Sequence, residues 1–406
     1  MYLVRLAWRN LLRNLRRTLL AGLAVGIGLA GLLFTDALFV GLQENMIRTA
    51  TETFLGQGQI HRQGFRSHLE VELALSDGAE LMARLDTDNR VRAAAPRTQF
   101  FAMISSPANV AATSVFGIDP DREHEVSLIH EAVEQGDASL PSGGVLIGHE
   151  LAELLEVELG DRLIVTATTT GAGELTQEMV RVSGIFRFGA RSLDDGVAFV
   201  PLEFSRKLLE LSSSDLHEIA IQFRDLGIAG DRSHPFWRQY SGGDREVLGW
   251  RDLLPELDAM LELSQFSMFV VLLILFGVVA LSVINTLFMS LHERTFEFGV
   301  LRAVGTRPRQ LFLLIVLEAA CLSLISIAIG SLFGLTSTAL VAHTGIDYSG
   351  IDMAGVTITR LVHPVITVDQ YVMFPAWVLG FALVASIYPA TYAARMEPAQ
   401  AMRRSL

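Results

Sequence analysis

Hydrophobic positions gather into four long runs along this chain, and one long stretch of mixed apolar and polar residues separates the first run from the rest. A helix that crosses a bilayer needs roughly 20 mostly apolar residues. Runs of that kind occupy 18–40, 266–291 and 311–341; a shorter one, 371–390, contains Pro375 and Pro389. All four are read as transmembrane helices. The first continues into "GLQENMIRTATETF" with no small-residue cleavage site, so it reads as an anchor and not as a cleavable signal peptide.

The stretch 41–265 has the pattern of a folded domain. Strand-like segments fall at 58–62, 113–118, 162–168, 178–188, 197–201 and 217–223, and helix-like segments at 77–86, 149–157, 202–211 and 251–265. "VLIGHELAELLEVELGDRLIV" reads strand, helix, Gly-Asp turn, strand. Regions 120–144 and 170–176 read as loops. The expected fold is therefore an α-helical membrane protein with four spans and a large α+β domain between the first and second. Residues 41–55 and 251–265 read as helical stalks that extend the adjoining spans, so that tilting the spans would move the domain.

Charge supplies the orientation. Short segments rich in arginine stay on the cytosolic side. Residues 1–17 carry Arg5, Arg9, Arg13, Arg16 and Arg17; 292–310 carries four arginines; the tail 391–406 carries Arg395, Arg403 and Arg404; the 342–370 loop carries only Arg360. The expected topology places both termini and the 292–310 loop in the cytosol, with 41–265 and the 342–370 loop outside. The outer stretch holds 36 acidic against 19 basic residues, a net of −17. The cytosolic pieces hold 12 arginines against Glu293, Glu297 and Glu397, a net of +9. Nucleic acid is not expected as a partner of so acidic an outer domain, and the basic pieces suit anionic inner-leaflet lipid. Within 1–17, "LVRLAWRNLLRNL" interleaves leucines and Trp8 with arginines. It reads as an amphipathic interfacial helix or as a plain topology anchor.

Half the residues are hydrophobic and mean hydropathy is +0.40, as a membrane protein with a soluble part requires. The single cysteine, Cys321, excludes a disulfide framework and a paired-cysteine zinc site. "GIGLAG" at 26–31 matches a dinucleotide-binding fingerprint by letter only, since it lies inside a span with no strand before it. Gly22 with Gly26, and Gly330 with Gly334, are four apart in spans and read as helix-packing positions. No Walker A sequence and no nucleophile elbow occur, so neither a P-loop nor a serine-hydrolase site is expected. His61 with His68, and His124 with His130, match no metal spacing and are expected to be surface histidines, with no metal bound. Glu318 lies seven residues into the third span, roughly 10 Å along a helix. It reads as a functional charge pairing across a helix interface, or as a side chain snorkelling to the cytosolic boundary. Asp36 lies near the outer end of the first span and reads as a boundary residue.

The 292–310 loop is patterned beyond what a connector needs. In "ERTFEFGVLRAVG", Phe296, Val300 and Val304 form one helical stripe beside Phe298 and Leu301, with Glu297 and Arg302 away from it. A short amphipathic helix under the membrane fits this pattern, as does an interfacial re-entry helix. Gly305 would end it, with Pro308 following.

"ERTFEFGVLRAVGTRPRQLFLLIVLEA" resembles the signature of FtsX/MacB-type ABC-transporter permeases. "RNLLRNLRRTLLAGLAVGIG" resembles that family's approach to its first span, and "YPATYAARMEPAQAMR" its closing motif, with Met402 in place of leucine. The order of one span, a large outer domain and three spans is also the family's. "GQGQIHRQGF", "VLIGHELAELLEVELGDRLIV" and the 345–370 segment are similar to LolC/LolE-like members, which release lipoproteins. No segment matches the loop with which LolC captures its periplasmic carrier. The resemblance implies a bacterial inner-membrane location with the large domain in the periplasm, and a permease dimer, homomeric or heteromeric, served by two copies of a separate cytosolic ATPase. ATP and magnesium would bind there, so this chain carries no cofactor and is not itself an enzyme. It further implies that 293–304 is the coupling helix, with Glu293, Arg294, Glu297, Gly299, Leu301, Arg302 and Gly305 as the coupling residues. Its implied work is extraction or export of lipoproteins or related amphiphiles, with a lipoprotein or its periplasmic carrier as a further partner. Two other readings follow from the same family: FtsX-like signalling to a periplasmic cell-wall hydrolase, and MacB-like drug or toxin efflux.

Overall fold

Six helices carry the apolar part of the chain: α1 Tyr2–Arg13, α2 Leu15–Ala50, α3 Pro255–Glu293, α4 Thr295–Ala303, α5 Pro308–Thr344 and α6 Val368–Ala394. The structure is a computed structural model that describes residues 2–13, 15–170, 174–189, 191–348, 352–353, 356–357 and 361–395. Among the described residues four helices, α2, α3, α5 and α6, are long and apolar enough to cross a membrane. With 36 residues in α2 and 39 in α3, these two extend roughly 54 and 58 Å, well past the roughly 30 Å of a bilayer's hydrocarbon core. The chain divides into two units. One comprises Met1–Glu44, Leu261–Tyr348 and Arg360–Leu406, and the other Asn45–Met260 with Ser349–Thr359.

In the membrane unit, α2 packs on α5 through small residues. A Cβ on Gly330 would stand 2.7 Å from the Gly26 carbonyl oxygen, and one on Gly334 would stand 2.9 Å from Leu33 Cδ1. A Cβ on Gly26 would sit 3.1 Å from the Ser326 carbonyl oxygen. Those distances require the absence of a side chain, so the backbones approach as closely as glycine permits. Gly22 lies on the same face, but a methyl there would meet Ile325 at an ordinary 3.6 Å. The bundle core includes Val25, Leu29, Leu33, Phe276, Val283, Leu314 and Ala382, and Ala7 of α1 and Phe298 of α4 belong to it.

The outer unit is built on one mixed sheet. Its strands are β1 Gly58–Arg62, β2 Val91–Ser105, β3 Val110–Ile118, β4 Val133–Gly136, β5 Gly144–Gly148, β6 Arg162–Thr168, β7 Leu175–Phe186, β8 Val197–Pro201, β9 Glu218–Phe223 and β10 Arg245–Gly249. Their order is β10-β1-β9-β2-β3-β8-β5-β7-β4, with β6 pairing to β2 and β7. β3 with β8 and β5 with β7 run parallel, and the other pairs are antiparallel. Alternation sorts the faces. In β6, Leu163, Val165 and Ala167 point into a core shared with Val180, Val182, Leu151 and Leu155, where the helices His149–Leu155 and Leu202–Leu209 pack.

Several expectations change here. The 120–144 region is not a loop: it holds the helices Pro120–Val126 and Ile129–Ala132 and then β4. The start signal is local, because Asp119 accepts from the Asp121 N–H and Pro120 takes the first helical position. In the 170–176 region, residues 171–173 lie outside the described residues, and β7 already begins at Leu175, paired with Thr168. The 251–265 stalk is broken. Trp250–Leu253 is its own short turn of helix, and α3 starts at Pro255, which has no N–H and keeps Leu254 out of helical geometry. Glu397, Met402, Arg403 and Arg404 of the tail, and Arg360 of the 342–370 loop, lie outside the described residues.

His61 is not a surface residue but is fully buried. It lies beside a charged cluster centred on Arg97, which is also fully buried. Arg97 donates to both oxygens of Glu123 at 2.6 and 3.0 Å, to Glu218 at 2.6 Å and to the Phe54 carbonyl at 2.6 Å. Its guanidinium also lies 4.0 Å from the centroid of the Phe54 ring. His61 places Nε2 at 2.8 Å from Gln59 Oε1 and Nδ1 at 3.2 Å from the His217 carbonyl. A neutral ring donates to only one of these oxygens. Burial, then Arg66, drive the His61 pKa down to about 3, so the ring stays neutral. His68 is exposed and bonds the Gly64 carbonyl. The rings of His124 and His130 come within 4.0 Å of each other, centroid to centroid. Among the described residues no three His, Cys, Asp or Glu side chains gather as a metal site would need.

Candidate functional site

The helix α4 is bounded by two sequence features. Arg294 stands at its N-cap, directly after α3 ends at Glu293. At the other end Gly305 adopts φ +104°, its N–H bonds the Arg302 carbonyl, and the Thr306 N–H reaches back to Leu301. This is a Schellman stop, which favours glycine at the left-handed position. Pro308 then takes the first position of α5, while Gln310 Oε1 accepts from the Arg307 N–H at 3.0 Å.

Packing divides α4 into two faces. Phe298 and Gly299 are buried in the bundle. Phe296, Val300, Leu301 and Val304 are exposed, Val304 at 82%. Of the stripe expected along Phe296, Val300 and Val304, no member turns inward, and the neighbouring Phe298 is the residue that anchors the helix. Arg302 runs back toward the loop, where Nη1 reaches the Thr306 carbonyl at 3.4 Å. Glu293 is exposed at the end of α3.

Five charged or polar side chains join α4 to its neighbours. Arg294 Nε donates to Glu297 Oε2 at 2.9 Å, and its Nη1 to Glu318 Oε1 at 2.9 Å. Its guanidinium also lies over the Phe298 ring at 5.0 Å. From α1, Arg13 Nη2 donates to Glu297 Oε1 at 2.7 Å, and Asn10 Nδ2 donates to Glu318 Oε1 at 2.5 Å. Burial lowers the Arg294 pKa, but Glu318 and then Glu297 outweigh it, so the guanidinium is held above its ordinary value. Burial raises the Glu297 pKa, and hydrogen bonds from Arg294 and Arg13 more than reverse it, so that carboxyl sits below its ordinary value. Glu318 is 4% exposed and pairs across helix interfaces. Spacing along the chain marked it as an intramembrane charge, while its partners at positions 10 and 294 were not legible from sequence.

The outer unit presents a second surface. On the face of the sheet opposite its core, Phe101 and Met103 of β2, Ile164 of β6 and Leu175 and Met179 of β7 are exposed. Ile164 pairs with Met179 across the strands, and Arg162 pairs with Arg181 next along the same face. A sheet face of exposed large apolar side chains edged by two adjacent arginines suits an apolar partner with acidic surroundings.

Comparison with known proteins matches both parts of the chain. Residues 18–226 match the family model described as MacB-like periplasmic core domain, and residues 268–398 match that described as FtsX-like permease C-terminal. The lipoprotein-releasing system transmembrane protein LolC of Xylella fastidiosa (strain Temecula1) is 25% identical over 397 residues, covering 94% of this chain and 92% of that one. The corresponding LolE of Haemophilus influenzae is 22% identical over 338 residues, covering 79% and 80%. The solved periplasmic region of MacB from Actinobacillus actinomycetemcomitans aligns with a TM-score of 0.33 at 12% identity, covering 53% of this chain and 94% of that one.

Proposed function

This chain belongs to the ABC-transporter permeases that combine a MacB-like periplasmic core with an FtsX-like C-terminal region, and from that premise we propose that it couples a separate cytosolic ATPase to the release of lipid-anchored proteins or related amphiphiles from the inner membrane. The observation that carries the coupling is α4. A short helix tied by ion pairs to its neighbours offers Phe296, Val300, Leu301 and, at its C-cap, Val304 to a partner. Exposed apolar side chains on a firmly anchored helix are what a docking groove on a second protein would receive. The surrounding arginines support a cytosolic position for this end of the bundle. ATP and magnesium belong to the partner.

The substrate class rests on relatives named as lipoprotein-releasing, which align with this chain over most of its length. Motion would pass outward along α2 and α3, whose lengths exceed a bilayer's needs. The apolar face around Phe101, Met103, Ile164 and Met179 would receive the released protein or its periplasmic carrier.

The test uses the chain reconstituted with its ATPase. Gly299→Pro breaks α4 inside the bundle, and Glu297→Arg opposes both Arg294 and Arg13. Each variant is expected to insert into membranes yet abolish transport-coupled ATP hydrolysis. Normal coupling in both would refute the assignment of α4.

A further inference from the structure

Resting on the reading of α4 as the ATPase contact, we propose that Glu318 is the positioning residue of that contact and that the N-terminal helix α1 is one of its working parts. An ionisable side chain inside a span is costly and persists where partners compensate it. Glu318 has two, from separate segments: Asn10 on α1 and Arg294 at the head of α4, both on Oε1. The linkage then closes. Arg294 continues to Glu297, and Glu297 returns to Arg13 on α1. Asn10 and Arg13 are three apart on α1, as Arg294 and Glu297 are at α4, so each pair shares one helix face. The resulting ring runs α1, α5, α4 and back to α1. Rotating or sliding α4 would break bonds on both sides at once.

The two sides of the ring differ in strength. Arg294 and Glu318 are buried, and a buried pair resists separation because each charge left alone would be desolvated. Arg13 and Glu297 have half-exposed side chains, where water and salt weaken the attraction. The inner pair therefore fixes the pitch of α4. The outer pair is a clasp through which displacement of α1 at the membrane surface reaches α4. This goes beyond α4 as a docking surface, because it assigns a role to the one buried carboxylate of α5 and to a helix outside the contact itself.

The experiment measures position separately from ATP hydrolysis. In a Cys321→Ala background, spin labels are placed at Leu12→Cys on α1 and Val304→Cys at the C-cap of α4, both exposed positions, and the full chain is studied in nanodiscs. The parent is expected to give one narrow distance distribution. Glu318→Gln, which keeps the side chain's size and removes its charge, is expected to broaden it. Arg13→Gln, at an exposed position where folding is not at risk, is expected to broaden it less. Ser326→Ala, elsewhere on α5, is expected to leave it narrow. An unchanged distribution in both Glu318→Gln and Arg13→Gln would overturn the proposal. In the unlabelled chain, with Val304 intact and the ATPase added, Glu318→Gln is expected to lower coupled hydrolysis by about fivefold or more, the low end of ordinary coupling energies. Broadened distances with unchanged hydrolysis would uphold Glu318 as the positioning residue and overturn α4 as the ATPase contact.

Discussion

Arg97 binds two carboxylates and a helix-end carbonyl from the middle of a sheet, with no exposure to water. Removing one member of such a cluster leaves the others as uncompensated buried charges. Arg97→Ala is therefore expected to destabilise the outer unit by about 3–5 kcal/mol, read as a lowered urea midpoint when β9 amide exchange is followed in the full chain. His61 makes the same unit acid-sensitive. Its pKa is depressed in the fold, to about 3, so the unfolded chain binds a proton that the folded chain refuses. Its contribution to stability is thus intact above the unfolded value near 6.5 and is lost as pH falls from there toward 3. His61→Gln is expected to flatten that part of the stability profile, and an unchanged slope would show that other groups set it. Neither residue was legible beforehand. Arg97 sits in "AAAPRTQ" with its carboxylates 26 and 121 residues away, and His61 has no local partner that marks it as buried. Glu318 was half legible, because its depth in a span can be counted while its partners cannot.

Elements that announce themselves by length or punctuation were legible. The four spans follow from apolar length alone, and α4 from a helical stripe closed by Gly305 and Pro308. β2, the longest strand of the sheet, was missed. "VRAAAPRTQFFAMIS" combines four alanines, a proline and arginines, and it becomes a strand because β3, β6 and β9 pair with it. The face that α4 shows to solvent was also hidden, since a stripe on a helical wheel does not say which of two apolar edges the bundle takes. Two predictions belong to this scale. Gly305→Ala places a Cβ in the left-handed region and is expected to cost about 1 kcal/mol, seen as faster amide exchange at Gly305 and Thr306 positions with α3 unaffected. Gly330→Leu drives a side chain into the Gly26 carbonyl and Leu29. It is expected to lower the detergent melting temperature of the membrane unit, whereas Gly22→Ala, where there is room, is expected to leave it nearly unchanged.

Across the whole molecule the charge is divided: a net of −17 over residues 41–265 against +9 on the three arginine-rich pieces. That division is the basis of the proposed orientation, which can be checked with cysteines in a Cys321→Ala background. Phe101→Cys is expected to react with an impermeant thiol reagent in intact spheroplasts, and Val304→Cys only after the membrane is opened. The reverse pattern would invert the topology. The account's central claim is that an ATPase works through α4. Its most direct measurement is gentle affinity purification of the chain from native membranes, with mass spectrometry of what is retained, alongside a Val300→Asp/Val304→Asp variant. The account predicts a P-loop ATPase with the parent chain and its loss from the variant while the variant still resides in the membrane. An intact complex without any ATPase, or an ATPase held equally by the variant, would contradict it.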